Sequence, residues 1–175
     1  MTPAELKERI RTIPDFPEKG VLFRDITTLL KDPAAFSATV DLLVDHYRPL
    51  GLDAVAAIES RGFIFGAPLA HRLGLSFIPV RKFGKLPAAT ARMEYELEYG
   101  REILEIHTDA VRVGLRTVVI DDLLATGGTS QATARLIESL GGVVVELAFV
   151  VELTYLKGRQ KLEQYPVFSL IQFDT

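Results

Sequence analysis

Residues 118–130, with the sequence VVIDDLLATGGTS, combine two adjacent carboxylates with a loop of small polar residues. Asp121 and Asp122 follow a short apolar stretch, and Gly127 and Gly128 follow them. Glycines let backbone N–H groups approach a ligand closely, and the start of a helix adds unpaired N–H groups with a partial positive charge. The loop therefore predicts a socket for a phosphate monoester.

The two carboxylates need partners of their own, because they would otherwise repel a bound phosphate. Ribose hydroxyl groups, an electron-poor ribose carbon or a Mg²⁺ ion carried by the ligand could each serve. Glycine pairs often form only turns and paired acids are usually solvated, so the specific signal is the complete order of strand, acids, glycine loop and helix. The chain has no GxxxxGK[ST] and no GxGxxG motif, which disfavours nucleoside triphosphatases and dinucleotide-binding enzymes.

These groups must be positioned by a sheet whose strands end at one edge. Continuous apolar runs predict strands at residues 53–58, 75–80, 117–120 and 143–151. Apolar residues at helical spacing predict helices at residues 4–10, 37–47, 63–73 and 131–140. The alternation of predicted strands and helices along the chain predicts an α/β fold with a mostly parallel central sheet flanked by helices. In such sheets, ligands bind beyond the carboxyl ends of the strands.

One region between these elements has a different pattern. Residues 83–94 carry Gly84, Pro87 and several charges, and they predict a mobile loop. Leu104 and Ile106 alternate with polar residues, which predicts a half-exposed strand.

Composition limits the class of protein. A length of 175 residues predicts a single domain, residues 1–175. Because 48% of the residues are hydrophobic, the chain can form a core without disulfide bonds. There is no cysteine, which excludes thiolate metal sites and cysteine nucleophiles. The net charge of −3 argues against nucleic acid as a partner. We find no signal peptide and no apolar stretch approaching 18 residues, so we expect a cytoplasmic protein without a membrane partner.

Several separated segments together resemble the adenine phosphoribosyltransferases, members of the type I phosphoribosyltransferase family. VVIDDLLATGGT resembles the family's motif for 5-phosphoribosyl 1-pyrophosphate. The other matching segments are PDFPEKGVLFRDIT, ESRGFIFGAPLA, RKFGKLP, YELEYGREILEIHTDA and VELTYLKGRQKL. Glu59 stands where relatives also have Asp. The segment VVIDDLLATGGT shows no departure from the family's motif.

The resemblance implies transfer of a phosphoribosyl group to adenine, giving AMP and pyrophosphate through a dissociative, ribosyl-cation-like transition state. It also implies a homodimer and a small hood of N- and C-terminal segments over the base site. Mg²⁺ is the implied cofactor, held mainly by substrate oxygens and water with no direct protein ligand.

Residue roles follow from the same resemblance. Asp121 and Asp122 bind the ribose hydroxyls and stabilise the cationic sugar. The 5′-phosphate is held by Ala125, Thr126, Gly127, Gly128 and Thr129. The pyrophosphate loop comprises Glu59, Ser60 and Arg61, with a cis Glu59–Ser60 bond, and its counter-charges are Arg81, Lys82 and Lys85.

Residues 83–99 are implied to close as a lid, in which Glu98 handles the purine proton and Tyr99 contacts substrate. Arg81 can reach the site of a partner subunit. The implied catalytic set is therefore Asp121, Asp122, Glu98, Arg61 and Lys85.

The implied base pocket comes from the segment Leu22, Phe23 and Arg24, together with Leu153. Phe23 and Leu153 stack on opposite faces of the purine, while main-chain groups of Leu22 and Arg24 read adenine. A 6-oxopurine reverses that donor and acceptor pattern and leaves buried groups unpaired.

Two alternatives remain at this point. One is a protein of the same fold that binds the ribose donor as a regulatory effector without catalysis, although the chain has neither spare length nor an excess of basic residues for DNA binding. The other is an enzyme for hypoxanthine, guanine or xanthine, which the segment GVLFRDIT disfavours.

Overall fold

A computed structural model describes residues 1–97 and 100–175 of the chain. The strands of this part are β1 (Arg11–Pro14), β2 (Leu22–Asp25), β3 (Ala54–Ile58), β4 (Ser76–Lys82), β5 (Thr90–Leu97), β6 (Gly100–His107), β7 (Arg116–Leu124), β8 (Val143–Leu153) and β9 (Val167–Phe173). The α-helices are α1 (Pro3–Lys7), α2 (Thr27–Leu30), α3 (Pro33–Tyr47), α4 (Gly62–Leu73), α5 (Gly128–Ser139) and α6 (Gly158–Lys161). Short 3-10 turns lie at Arg48–Leu50, Thr108–Ala110 and Thr154–Leu156.

The central sheet has the strand order β5-β6-β4-β3-β7-β8-β9. The five strands β4, β3, β7, β8 and β9 pair with their neighbours in parallel. Strand β6 runs antiparallel to both β4 and β5. The predicted mostly parallel sheet is therefore confirmed, with an antiparallel pair added at one edge.

Continuous apolar strands arise because both faces of the sheet are covered. In β3, Val55 and Ala57 belong to the core cluster that contains α3 and α4 residues, while Ala54 and Ala56 belong to the cluster on the α5 side. All five residues of β3 are buried. The predicted strands at 53–58, 75–80, 117–120 and 143–151 are confirmed, with different ends.

Capping residues determine where the main helices begin and end. The Asp32 side chain accepts hydrogen bonds from the N–H groups of Ala34 and Ala35 at 3.0 and 3.2 Å, so α3 starts at Pro33, four residues before the predicted start. Helix α4 ends at Leu73 and is followed by Gly74, whose φ of +67° is the left-handed conformation that glycine favours.

The predicted loop at 83–94 is wrong from residue 90 onward, because these residues form β5. Met93 and Tyr95 of β5 pack against the core on the α5 side. On the opposite face, Thr90 and Arg92 donate hydrogen bonds to the buried carboxylate of Glu105 at 3.0 and 2.7 Å. The charges that suggested a loop are thus cross-strand partners within an antiparallel pair.

The hood consists of β1 and β2, which form a separate two-stranded antiparallel sheet, together with the end of β9. The Arg24 guanidinium lies over the Phe173 ring at 4.2 Å from its centroid. It also donates hydrogen bonds to the Thr12 hydroxyl and the Thr175 carbonyl, which ties β2 to the end of β9. No helix of the described residues is both long and apolar enough to traverse a bilayer.

Candidate active site

Three adjoining cavities lie beyond the carboxyl ends of β3, β4, β7 and β8. The acidic cavity, of about 310 Å³, is lined by Glu59, Ser60, Arg61, Lys82, Asp121 and Asp122. The glycine-loop cavity, of about 80 Å³, is lined by Asp121, Leu123, Leu124, Ala125, Thr126, Gly127, Gly128, Thr129 and Ser130. The apolar cavity, of about 590 Å³, is lined by Gly20, Val21, Leu22, Phe23, Arg24, Arg61, Leu123, Leu153, Tyr155, Leu156 and Thr175.

Shared residues join the three cavities. Asp121 lines both the acidic and the glycine-loop cavity, and Arg61 lines both the acidic and the apolar cavity. Leu123 lines the glycine-loop and apolar cavities. A single ligand with a phosphate at one end and an apolar ring at the other can therefore extend across all three.

The two aspartates differ in their surroundings. Asp122 is buried, and its Oδ2 accepts a hydrogen bond from Arg61 Nε at 2.6 Å. Asp121 Oδ1 accepts from the Asp122 N–H at 2.8 Å. Burial raises the pKa of Asp121 well above its ordinary value, and the adjacent Asp122 carboxylate raises it further. Asp122 is thus an ion-paired carboxylate, whereas Asp121 gains stabilisation from any positive charge that enters the cavity.

The position of Asp121 depends on a close approach by α4. A Cβ atom built on Gly62 would lie 2.9 Å from the Ile120 carbonyl oxygen and 3.1 Å from Asp121 Oδ1. Only a glycine lets the helix begin directly against the end of β7. The preceding Glu59–Ser60 peptide bond is cis, as the resemblance implies.

Glu59 holds the end of β4 at the rim of the acidic cavity. The Glu59 carboxylate accepts hydrogen bonds from the Lys82 backbone N–H at 2.5 Å and from Arg81 Nη2 at 3.3 Å. Lys85 is exposed in the loop after β4, and its carbonyl accepts from Arg81 Nη1 at 3.3 Å. The structure therefore brings Arg81 and Lys82 to Glu59, and it leaves Lys85 at the surface.

The glycine-loop cavity is built at the start of α5. Gly127 has a φ of +84°, and a Cβ on it would lie 2.8 Å from the Gly158 carbonyl oxygen, so the turn requires glycine. Of the two loop glycines, only Gly127 adopts this left-handed conformation, whereas Gly128 is the first residue of the helix. Within the described part of the chain no side chain caps α5, so its first N–H groups are available to an anion.

The apolar cavity lies between the hood and the ends of β7 and β8. All four predicted base-pocket residues line it: Leu22, Phe23, Arg24 and Leu153. The Phe23 ring packs edge-to-face on Phe16, with centroids 5.1 Å apart. A large apolar space with few polar groups is suited to a flat heterocycle.

Several residues that line the site are not predicted from the sequence. Leu123 lies two residues after Asp121 on β7, and Tyr155 and Leu156 follow the end of β8. The rule that ligands bind beyond strand ends could have identified Tyr155 and Leu156. The predicted residues Glu98 and Tyr99 lie outside the described residues.

The donor atoms of the acidic cavity are compatible with Mg²⁺ carried by a substrate. Residues 1–97 and 100–175 contain no cluster of three or more His, Asp or Glu side chains that could hold a metal ion. Glu59, Asp121 and Asp122 nevertheless supply hard oxygen atoms around one cavity. Mg²⁺ prefers such oxygens and commonly keeps several waters and substrate phosphates as its ligands.

Comparison with known proteins places the chain in a family. A family model described as the phosphoribosyl transferase domain matches residues 25–174. The adenine phosphoribosyltransferase of Chloroflexus aurantiacus is 60% identical over 173 residues, which cover 99% of this chain and 100% of that protein. The chain belongs to the adenine phosphoribosyltransferase family.

Solved structures of this family share the fold. The crystal structure of adenine phosphoribosyltransferase from Thermoanaerobacter pseudethanolicus has a TM-score of 0.94 and 57% identity, over 98% of this chain and 100% of that chain. The Saccharomyces cerevisiae enzyme has a TM-score of 0.92 and 40% identity, over 96% and 97% of the two chains. That yeast structure is a complex with D-2,5-dideoxy-2,5-imino-altritol 1,6-bisphosphate and adenine. These similarities confirm the predicted type I phosphoribosyltransferase fold.

Proposed function

We propose that the protein converts adenine and 5-phosphoribosyl 1-pyrophosphate into AMP and pyrophosphate, a reaction of purine salvage. The observation that carries the proposal is the junction of an acidic, an anion-binding and an apolar cavity at Arg61, Asp121 and Leu123. Their chemistry corresponds to the pyrophosphate, 5′-phosphate and purine parts of the reactants. The yeast relative, crystallised with adenine and a sugar-like bisphosphate, supports the same division.

The 5′-phosphate binds in the glycine-loop cavity, at residues 125–129. Backbone N–H groups at the start of α5, that of Thr129 among them, and the Thr126 hydroxyl donate hydrogen bonds to its oxygens. A close backbone approach is possible there because Gly127 and Gly128 carry no side chain. This interaction holds the donor sugar beside Asp121.

The pyrophosphate binds in the acidic cavity against Ser60 and Arg61. Lys82 lines this cavity, and Arg81 and Lys85 supply further positive charge from the end of β4 and the loop that follows. Glu59 orients Arg81 and the Lys82 backbone through its two hydrogen bonds. Bound Mg²⁺ would neutralise charge on the leaving group, with Glu59, Asp121 and Asp122 around it.

The transfer breaks the bond between the ribose anomeric carbon and pyrophosphate, and a ring nitrogen of adenine then forms the new bond to that carbon. The Asp121 and Asp122 carboxylates accept hydrogen bonds from the ribose hydroxyl groups and stabilise the developing positive charge. The Arg61–Asp122 ion pair fixes one carboxylate next to the departing pyrophosphate. Catalysis therefore consists of positioning and electrostatic stabilisation.

Adenine binds in the apolar cavity between Phe23 and Leu153. Main-chain groups of Leu22 and Arg24 read its 6-amino group and N1. The Arg24 side chain itself donates hydrogen bonds to the Thr12 hydroxyl and the Thr175 carbonyl. We further propose that Glu98 handles the purine proton and that Tyr99 contacts substrate. The enzyme acts as a cytoplasmic homodimer in which Arg81 lies close to the partner's site.

A panel of purines tests the function. The purified protein is incubated with 5-phosphoribosyl 1-pyrophosphate, Mg²⁺ and either adenine, hypoxanthine, guanine or xanthine, and nucleotides are separated by chromatography. We expect AMP from adenine and at most a trace of the other nucleotides. Faster formation of a 6-oxopurine nucleotide would overturn the adenine assignment. Tight binding of the ribose donor without any nucleotide formation would instead support a regulatory protein.

A further inference from the structure

A chain of hydrogen bonds connects the glycine loop to the acidic cavity through β5 and β6. Thr129 Oγ1 donates to the Tyr95 hydroxyl oxygen at 3.2 Å, and the Tyr95 hydroxyl donates to Glu102 Oε2 at 2.8 Å. Lys82 Nζ donates to the other oxygen, Glu102 Oε1, at 3.0 Å. The chain thus runs from the 5′-phosphate loop to a lysine that lines the acidic cavity, through Tyr95 and Glu102.

The strand register aligns these side chains. Tyr95 and Glu102 are directly opposite each other in the β5–β6 pair. Lys82 is opposite Leu104 in the β4–β6 pair, and Leu104 lies two residues from Glu102 on the same face of β6. Side chains of directly opposed and diagonal residues on one face contact each other, so the backbone pairing itself places Lys82 beside Glu102.

Tyr95 and Glu102 form a hydrogen-bonded bridge between Thr129 and Lys82, and the ionisation states of both groups favour a fixed arrangement. Hydrogen bonds from Tyr95 and Lys82 lower the pKa of Glu102, so its carboxylate remains charged. Burial raises the pKa of Tyr95 to about 12, so its hydroxyl remains a donor. The Lys82 ammonium has three donors and uses one of them on Glu102, which leaves two for an anionic ligand.

We propose that Tyr95 and Glu102 are positioning residues that hold the Lys82 ammonium at the edge of the acidic cavity, ready for the pyrophosphate group. This inference rests on the proposed function for the identity of the anion. The Lys82 side chain is 58% exposed and would otherwise sample many rotamers in solvent. A charge that is already placed binds its ligand more tightly than one that must be ordered on binding.

The bridge is also attached to the glycine loop. Thr129 both lines the glycine-loop cavity and donates to Tyr95, so the same loop that binds the 5′-phosphate supports the residue that orients Glu102. The Tyr95 ring packs against the core on the α5 side, which restricts its movement. The binding sites for the 5′-phosphate and the pyrophosphate of 5-phosphoribosyl 1-pyrophosphate are therefore connected by these side chains as well as by β7.

Tyr95→Phe is the primary test, because it removes the hydroxyl and keeps the ring in the core. We expect KM for 5-phosphoribosyl 1-pyrophosphate to rise roughly tenfold, since a hydrogen bond to a charged group is lost. KM for adenine and the thermal unfolding midpoint should stay at their wild-type values. Tyr165→Phe is the matched control, because Tyr165 donates a comparable hydrogen bond of 2.9 Å to Glu138 away from the three cavities.

A double-mutant cycle distinguishes positioning of Lys82 from general support of the strand pair. In the Lys82→Met background, Tyr95→Phe and Glu102→Gln should each change the affinity for inorganic pyrophosphate by less than twofold. In the wild-type background, each should weaken it roughly tenfold. An equal loss in both backgrounds, or a Tyr95→Phe protein that binds like Tyr165→Phe, would overturn the inference.

The pyrophosphate titration is measured calorimetrically and does not require turnover. If the purine panel gives no AMP, the proposed function fails, and the titration still decides whether the bridge orients Lys82. If AMP forms and the double-mutant cycle shows no coupling, the proposed function is supported and the inference that Tyr95 and Glu102 position Lys82 is wrong.

Discussion

The acidic cavity and the apolar cavity are built in contrasting ways. The acidic cavity lies at the ends of β3 and β7, which are paired, largely buried strands at the centre of the sheet. The apolar cavity is closed by the hood, whose strands β1 and β2 are four residues each and, among the residues that the structure describes, form no ladder with the central sheet. One cavity is part of the core, and the other is formed by a peripheral segment that packs on it.

This contrast follows from what each cavity must do. Charges that stabilise a transition state act best when they are fixed before the reaction, and groups at the ends of buried strands have little freedom. A flat apolar base is held by contact area and a few hydrogen bonds, which a small hood can supply. Variants on the two sides should therefore differ in which kinetic parameter changes.

The largest effect is expected at the acidic cavity. The double variant Asp121→Ala, Asp122→Ala should lower kcat by roughly 10³-fold or more, since two carboxylates that stabilise the cationic sugar are lost. Steady-state assays measure the loss, and circular dichroism should show an unchanged fold. Asp45→Ala combined with Asp109→Ala, at two exposed positions, is the control and should keep wild-type kcat. Full activity in the first variant would remove the aspartates from the mechanism.

An intermediate effect is expected in the apolar cavity. Phe23→Ala should raise KM for adenine by roughly 10–100-fold, because stacking on the base is lost, and should change KM for the ribose donor by less than twofold. Phe77→Ala, at an exposed ring of β4 outside the three cavities, should leave KM for adenine unchanged. If Phe23→Ala changed both constants equally, the two cavities would not be independent.

The smallest effect concerns stability and pH. The raised pKa of Asp121 means that the folded state takes up a proton more readily than the unfolded chain, so ionisation of this group destabilises the fold as pH rises. At pH values above the folded-state pKa of Asp121, the Asp121→Asn variant should therefore have an unfolding midpoint roughly 2–4 °C higher than the wild type. The gain should vanish at lower pH, where Asp121 is protonated.

Calorimetry across a pH series measures this gain, with the exposed Asp45→Asn as control. A gain that is independent of pH would show that packing, and not charge, limits stability at Asp121. The variant should lose activity at every pH, which would make the acidic cavity a site where function opposes stability.

The contrast between core and periphery also decides what the sequence predicts. Strands β3, β7 and β8 were predicted because burial on both faces leaves continuous apolar runs. Strands β1 and β2 escaped prediction because RTIP and LFRD are too short to show a period, and their pairing with each other arises only in the folded chain. Residues 90–94 of β5 have a loop-like pattern in the sequence because the charged Arg92 finds its partner, Glu105, on another strand.

The site follows the same rule. Asp121 and the glycine loop were predicted from types and order of residues, since the chemistry is local to one segment. Leu123, Tyr155 and Leu156 were missed because ordinary apolar residues carry no local signal, and only the three-dimensional arrangement brings them to the ligand. The bridge through Tyr95 and Glu102 depends on strand register, which no single segment specifies.

The absence of a side chain at Gly62 limits how this protein can evolve. Even a methyl group there would press on the Ile120 carbonyl and on Asp121, so the smallest available substitution already displaces a carboxylate of the site. Among random variants selected for growth on adenine, we expect codon 62 to remain invariant while neighbouring positions on the exposed side of α4 diversify.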